Sequence, residues 1–392
     1  MFGHIVKSNW LVAVIIFLSI FIIYSYSASN ETYYNYYTRL AHSFLAGRLY
    51  LLDYPNWLNE LIPIQGKYFV VYPPMPAILL IPWVVLLGVY SQTLFSVLLG
   101  SMVVGLSYLL FIKVTNNKKA GVLMAILFGL GTNFWFLSAV GSAWYLAHVV
   151  GVFFQLVSLI EVFGKKRLWI ISLCLGAAFW SRTPILFTLP FYLFFLQDKF
   201  WPIGKRNRLN YVELFSGIGI FVWLDIIYNF ARFGLISPLS PYQLMPYETL
   251  GPDFRNGFMS ISFISRHLEA AFLHLPKFQN TWPYLAPSLY SLAVWFTTPA
   301  LLLIYKQKRN NLTLAVWSGV LPTMFIISCW AGVGTSQFGY RFAQDYLLLL
   351  LVLIAQIIGN KPSKLAYTLI ILSVLVNLWG VLLINKLGIY TI

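Results

Sequence analysis

Apolar runs long enough to cross a bilayer recur from one end of this 392-residue chain to the other, and most basic residues are gathered in the short stretches between them. A helix needs about 20 mostly apolar residues to span the hydrocarbon core, somewhat fewer when it is buried among other spans. At 59% hydrophobic, 9% charged and a mean hydropathy of +0.76, such a chain does not stay in water. The pattern specifies an all-α polytopic integral membrane protein, with about 11 to 13 transmembrane helices by that criterion. Residues 1–392 read as one membrane domain, without a soluble domain, internal repeat or low-complexity tract. In a soluble protein the net charge of +15 would point to nucleic acid. Here the bases lie in loops between spans, which is the mark of cytoplasmic turns, so nucleic acid is not an expected partner.

The basic clusters set the topology. Lys7 places the N-terminus in the cytoplasm, and the run 10–24 behind it, with no small-residue cleavage site, reads as a first span rather than a signal peptide. Four further cytoplasmic turns carry Lys165, Lys166 and Arg167; Lys205, Arg206 and Arg208; Lys306, Lys308 and Arg309; and Lys361 and Lys364. Parity then puts three long aromatic loops outside, at about 29–73, 231–290 and 332–345, together with the C-terminus after a last span near 365–384. The hairpin 168–196 is short for two crossings at 1.5 Å per residue and has Ser181, Arg182, Thr183 and Pro184 at its centre, so it is expected to stop part-way, beside a polar cavity. If Lys118 and Lys119 are cytoplasmic, 73–90 and 93–111 cannot both cross. Either the first, with Pro76 and Pro82, is re-entrant, or those lysines face out.

Long loops on one side and short basic turns on the other put the working surface outside, at a plasma (inner) membrane. Of the 11 acids, Glu31, Asp53, Glu60, Glu248, Asp253, Glu269 and Asp345 fall on that side; Glu161, Asp198 and Glu213 accompany cytoplasmic bases, and Asp225 is inside a span. In the first loop Tyr33, Tyr36, Tyr37, Leu40, Ala41, Phe44 and Leu45 recur at helical spacing, giving an amphipathic helix for the outer interface. Glu31 and Asn35, four apart, share a face of such a helix and can project together into a cavity. The plainer reading is that Glu31 answers the positive end of that helix.

Three ionisable groups fall within apolar runs, where charge is costly and faces a cavity or a partner. They are His148, Arg182 and Asp225. Arg182 at a helix break suits a phosphate, or else pairs with Asp225. His148 is a ligand contact or a hydrogen-bonded core histidine. The loop AGVGTSQFGYRFAQDY holds Gln337, Tyr340, Arg341 and Asp345. Arg341 and Asp345 are four apart: they grip a lipid phosphate, helped by backbone amides freed by Gly332, Gly334 and Gly339, or form an ion pair that ends the span. Phosphate-loop, dinucleotide, CxxC and HExxH motifs are absent. His267 and His274, seven apart with Glu269 nearby, are a poor metal set for want of a third close ligand. Cys174 and Cys329 both lie in apolar runs as packing residues.

The segments YNYYTRLAHSFLAGRLYLLD, KYFVVYPPMPAILLIP, GSAWYLAHVVGVFF, SRTPILFTLPF, YNFARFG, LPKFQNTWPYLAPSLYSLAVWFTTPALLL and SQFGYRFAQDYLLLLL, in this order among many spans, resemble the GT-C membrane glycosyltransferases over most of the chain. The likeness in style is to glycosyltransferase family 39, the protein O-mannosyltransferases and the aminoarabinose transferases, and especially to a bacterial predicted branch. The resemblance implies transfer of a sugar from a polyprenyl-phosphate carrier to an acceptor, a glycan, lipid or protein, on the extracytoplasmic side among membrane lipids. It also implies a base from an acid of the first outer loop, and basic residues that hold the carrier phosphate. The family's acidic pair stands where this chain has Tyr33 and Tyr34, so Glu31 is the nearest acid and Asp53 the reserve. Arg182 and Arg341 are the expected phosphate residues, with Tyr340, Gln337, His148 and Asn35 beside them. A divalent metal is compatible but not required. Two other readings are a transporter or flippase of a lipid-linked glycan, and a non-catalytic GT-C-like scaffold.

Overall fold

The computed structural model describes residues 2–201, 205–237, 240–245, 254, 257–359 and 361–391. Glu248 and Asp253, two of the acids assigned to the long loops, lie outside the described residues. The described residues are mainly helical, and among them seven helices are long and apolar enough to cross a membrane: Ser8–Ser27, Gln92–Thr115, Ala143–Val162, Asn207–Phe233, Asn311–Ser328, Arg341–Ile358 and Lys364–Leu387. Lys118–Leu130 and Phe134–Val140 form a pair bent by 54° that counts as an eighth span if taken together. Three shorter apolar helices, Met75–Leu87, Leu168–Phe179 and Thr183–Phe195, make up the difference from the larger number of runs read in the sequence.

The centre is the Gln344–Ile358 helix, whose run DYLLLLLVLIA is buried on nearly every side. A helix that is apolar all round belongs in the interior. Around it pack the Gln92–Thr115, Ala143–Val162 and Asn311–Ser328 helices. The outermost spans instead present Leu11, Ile15, Leu18 and Ile22, then Trp223 and Ile227, then Ile371 and Leu375 outward, an apolar surface that hydrocarbon covers.

Met75–Leu87 has 13 residues, about 20 Å at 1.5 Å per residue, and contains Pro82. That falls short of the roughly 30 Å hydrocarbon core. Lys118 Nζ reaches Ser8 Oγ at 3.2 Å, which brings the turn after Gln92–Thr115 to the start of the first span. The hairpin 168–196 is likewise two short arms: Leu168–Phe179, then a break at Ser181 and Arg182, then a 3-10 turn Thr183–Thr188 leading into Leu189–Phe195.

The long connections gather at one end of the bundle. Residues 28–35 run irregularly into the Tyr36–Leu45 helix, which starts later than its periodicity suggests. Its buried face is Tyr36, Tyr37, Leu40 and Ala41, whereas Tyr33 and Leu45 are exposed. After it, strands Leu61–Ile64 and Lys67–Val70 form an antiparallel hairpin with Leu61 opposite Val70. Gln65 and Gly66 both have positive φ (49° and 74°), the backbone a two-residue hairpin turn requires. This hairpin fixes Glu60 at its first strand and Lys67 at its second. The 332–340 loop is tied to the preceding connection by Gln337 N–H on Leu289 O and Tyr340 N–H on Leu292 O.

Candidate functional site

Four elements deliver ionisable groups to one buried region: the 28–72 loop, the break at Arg182, the Ala143–Val162 helix and the start of the Arg341–Ile358 span. At its deepest point is Asp345, fully buried. Arg182 grips it with both prongs, Nη2 to Oδ2 at 2.8 Å and Nε to Oδ1 at 3.2 Å. His148 Nδ1 is 2.9 Å from Oδ1. A carboxylate only accepts, so His148 carries its proton on Nδ1, and its buried Nε2 is left without a partner.

This arrangement replaces two alternative pairings, one weighed from the cost of intramembrane charge and one from spacing. Arg182 does not pair with Asp225, whose oxygens are taken by Trp180 Nε1 (3.2 Å) and Asn229 Nδ2 (3.0 Å). Arg341 does not pair with Asp345 either. A 3-10 turn, Arg341–Ala343, precedes the α-helix, so the two residues do not share an α-helical face, and the Arg182 fork has claimed the carboxylate.

Arg341 is only 8% exposed, and its guanidinium has no carboxylate partner among the described residues. Nη1 donates to Thr335 O at 3.3 Å, and the charge lies 5.1 Å from the Phe342 ring and 5.8 Å from the Tyr145 ring. Gly334 makes room for it: at φ +88°, a Cβ there would sit 2.8 Å from the guanidinium carbon. Tyr145 in turn donates its hydroxyl to Ser336 O, anchoring the loop.

Facing these cations is a carboxylate that spacing alone did not single out. Glu60 is half-buried; its Oε2 accepts from the Tyr72 hydroxyl and from Trp144 Nε1 (3.0 Å), while its N–H donates to Tyr36 Oη (3.0 Å). Burial, and then the Glu60 charge, push the Tyr72 hydroxyl well above the usual phenol range, which keeps Tyr72 the donor. Glu60 lies within electrostatic reach of Arg341. Tyr242 packs against Phe258 and Trp330; burial pushes its hydroxyl up to about 12, Arg182 pulls it down and Glu60 pushes it up. The signal for Glu60 in the sequence was its place in the aromatic first loop, just ahead of the IQGKYF hairpin.

The remaining expected residues have other engagements. Glu31 accepts from the N–H groups of Gln92 (2.8 Å) and Thr93 (3.1 Å), the free donors that open the Gln92–Thr115 helix. It therefore meets a helix start, though not the one its own segment forms. Residues 31–35 are not helical, so Glu31 and Asn35 do not share a face. Asn35 instead accepts from Arg39 Nε at 2.8 Å and donates to Val89 O at 3.3 Å. Gln92 completes the interlock by accepting from Tyr37 N–H and Thr38 N–H. Asp53 is exposed and has no side-chain hydrogen bond among the described residues. Gln337 spends its amide on the carbonyls of Tyr290, Val333 and Gly334 and holds the loop in shape. Tyr340 meets His267 Nδ1 at 2.7 Å, and since His267 Nε2 faces Trp330 O at 2.9 Å, Nε2 holds the proton and Tyr340 donates. Burial pushes His267 down to about 4, so it is neutral. His274 lies apart from it, 3.4 Å from Glu269, and among the described residues no three His, Cys, Asp or Glu side chains come together as a metal set.

Glu31 yields a pH prediction. Burial raises its carboxyl above 4.5, outweighing the amides that lower it. A carboxyl raised in the folded state contributes stability below its unfolded pKa and loses it as pH rises through the folded one. Thermal stability should fall over that interval in the native protein and stay flat in Glu31→Gln, whose amide oxygen still accepts from Gln92 and Thr93. Glu31→Ala, which removes the acceptor, should cost about 0.5–2 kcal/mol. A pH profile of the melting temperature that is identical in native protein and Glu31→Gln would refute this.

Fold and site together define a multi-pass α-helical membrane protein with a buried ionic centre at its looped end. No family model and no curated protein matches the sequence. Among solved structures the chain is similar to the Archaeoglobus fulgidus oligosaccharyltransferase in its apo form, with a TM-score of 0.47 and 15% identity over 97% of this chain and 55% of that one. It is also similar to that enzyme tethered through a disulfide to an acceptor peptide containing the NVT sequon, with a TM-score of 0.47 and 13% identity over 97% and 54%. The chain spans about half the length of these structures.

Proposed function

We propose that this protein is a GT-C-like glycosyltransferase that moves a sugar from a polyprenyl-phosphate carrier to a hydroxyl acceptor on the extracytoplasmic face of the plasma membrane. The observation that carries the reading is Arg341, a buried guanidinium with no carboxylate partner among the described residues, beside the Tyr145 ring whose neighbour Trp144 holds the Glu60 carboxylate. A buried cation without a counter-ion is costly and calls for an anion, and a guanidinium fork matches phosphate oxygens. The segment resemblances and the basic turns that place the long loops outside point the same way.

In this mechanism Arg341 takes the carrier phosphate, whose negative charge grows as the sugar C1–O bond breaks. Glu60, held through Oε2 by Tyr72 and Trp144, takes the proton from the acceptor hydroxyl through Oε1 while the new C1–O bond forms on the opposite face. Arg182 is held by Asp345, which His148 holds in turn, and orders that wall of the site. Glu31 serves the start of the Gln92–Thr115 helix, and Asp53 is held by no neighbour among the described residues, so Glu60 is the preferred base.

The test is transfer by the purified protein from a polyprenyl-phosphate sugar to an extracytoplasmic acceptor. Arg341→Gln should raise the apparent Kd for the carrier about tenfold or more, the worth of one or two charged hydrogen bonds. Movement of labelled carrier across a proteoliposome with no bond broken would establish a transporter instead, and carrier binding unchanged in Arg341→Gln would remove the phosphate role.

A further inference from the structure

A second basic site lies apart from the Glu60–Arg341 centre. A pocket of about 290 Å³ opens between residues 47–50, the 61–70 hairpin and the end of the Lys205–Phe233 helix. That is well above the ~10–15 Å³ needed for one water. Arg48, Lys67 and Arg232 line it together with Tyr50, Gln65 and Phe69, and among the described residues no carboxylate does. Arg232 is 8% exposed. Two of its nitrogens are spent, Nη1 on Val70 O at 2.7 Å and Nη2 on Asn229 Oδ1 at 2.8 Å, but its buried Nε has no partner among the described residues. Arg48 has a buried Nε without a partner as well, and its guanidinium makes no hydrogen bond among the described residues. Lys67 Nζ stands 4.7 Å from the centre of the Tyr50 ring and forms no ion pair among the described residues. The nearest acid in the network, Asp225, is hydrogen-bonded to Arg232 only through Asn229; its charge reaches the guanidinium, but it does not line the pocket.

We infer that this pocket binds the phosphate of an anionic ligand. Three cations converge on one cavity without a lining acid, two of them with unused buried N–H donors, and a tetrahedral oxyanion supplies acceptors in the directions a guanidinium fork presents. Arg232, in the last turn of an exposed, apolar span, lies where phospholipid headgroups meet the protein. The phosphate therefore comes either from a lipid headgroup or from a soluble phosphate compound. The site stands independently of any transfer reaction.

The test uses the full-length protein in a neutral detergent and in nanodiscs. Inorganic pyrophosphate is titrated calorimetrically; separately, native mass spectrometry compares lipid retained from phosphatidylcholine nanodiscs with and without phosphatidylglycerol. Pyrophosphate binding assigns a soluble phosphate, and selective phosphatidylglycerol retention assigns a headgroup. In either case Arg48→Gln and Lys67→Gln, whose side chains carry no hydrogen bond among the described residues, should each weaken binding about tenfold. Arg232→Gln should weaken it more, read only after monodisperse elution shows that loss of the Val70 bond has not unfolded it. The proposal fails if neither probe binds, or if the Arg48→Gln/Lys67→Gln double variant binds as the native protein does.

Discussion

Glu60→Gln is expected to lower the rate of sugar transfer by about 10²–10⁴-fold, the worth of a positioned general base, with carrier affinity and melting temperature close to those of the native protein. The substitution keeps the shape of the side chain, and a glutamine oxygen still accepts from Tyr72 and Trp144. What it loses is the ability to take a proton. Tyr72→Phe tests the same residue from its other side: without that donor the carboxylate is held by Trp144 alone, and the rate falls less than in Glu60→Gln while the carboxylate remains ionisable. Parallel assays of Glu31→Gln and Asp53→Asn make the comparison decisive. If either of them abolishes transfer and Glu60→Gln does not, the base lies elsewhere in the first loop and the assignment of Glu60 is wrong.

The helical, multi-pass character of the chain was legible because lipid leaves the backbone little choice: apolar runs must satisfy their own N–H and C=O groups, and in this sequence they do so as helices. The short hairpin at Arg182 was legible for the same reason, since its length at 1.5 Å per residue is inadequate for two crossings. The pairings inside the site were not. Arg341 and Asp345 have the spacing of helical neighbours, yet a 3-10 turn lies between them and Asp345 turns to Arg182, 163 positions away in sequence. Glu31 was close to its helix in sequence but capped a different one, because Gln92 and Thr93 offered free amides that the fold brought near. Glu60 was passed over because its partners are Trp144, 84 positions on, and the Tyr72 hydroxyl across the hairpin. Periodicity reports which face of a helix is buried; it does not report which distant donor waits there.

The second large effect concerns Asp345. Asp345→Asn is expected to destabilise the protein by about 3–5 kcal/mol, because it leaves the Arg182 charge uncompensated in the interior. Stability can be restored without restoring the charges: buried ion pairs replaced by apolar residues of similar volume are often neutral or better. The double variant Arg182→Met/Asp345→Leu should recover most of the loss, short of the roughly 1–3 kcal/mol set by the orphaned Nδ1–H of His148. Melting in detergent measures this directly, and the transfer assay then separates structure from function. If the ion pair only holds the bundle together, the restored double variant transfers sugar at the native rate. If Arg182, fixed by its fork on Asp345, orders the wall of the carrier site, the double variant is stable and slow, and the two apolar residues have repaired the fold while leaving the site without its second cation.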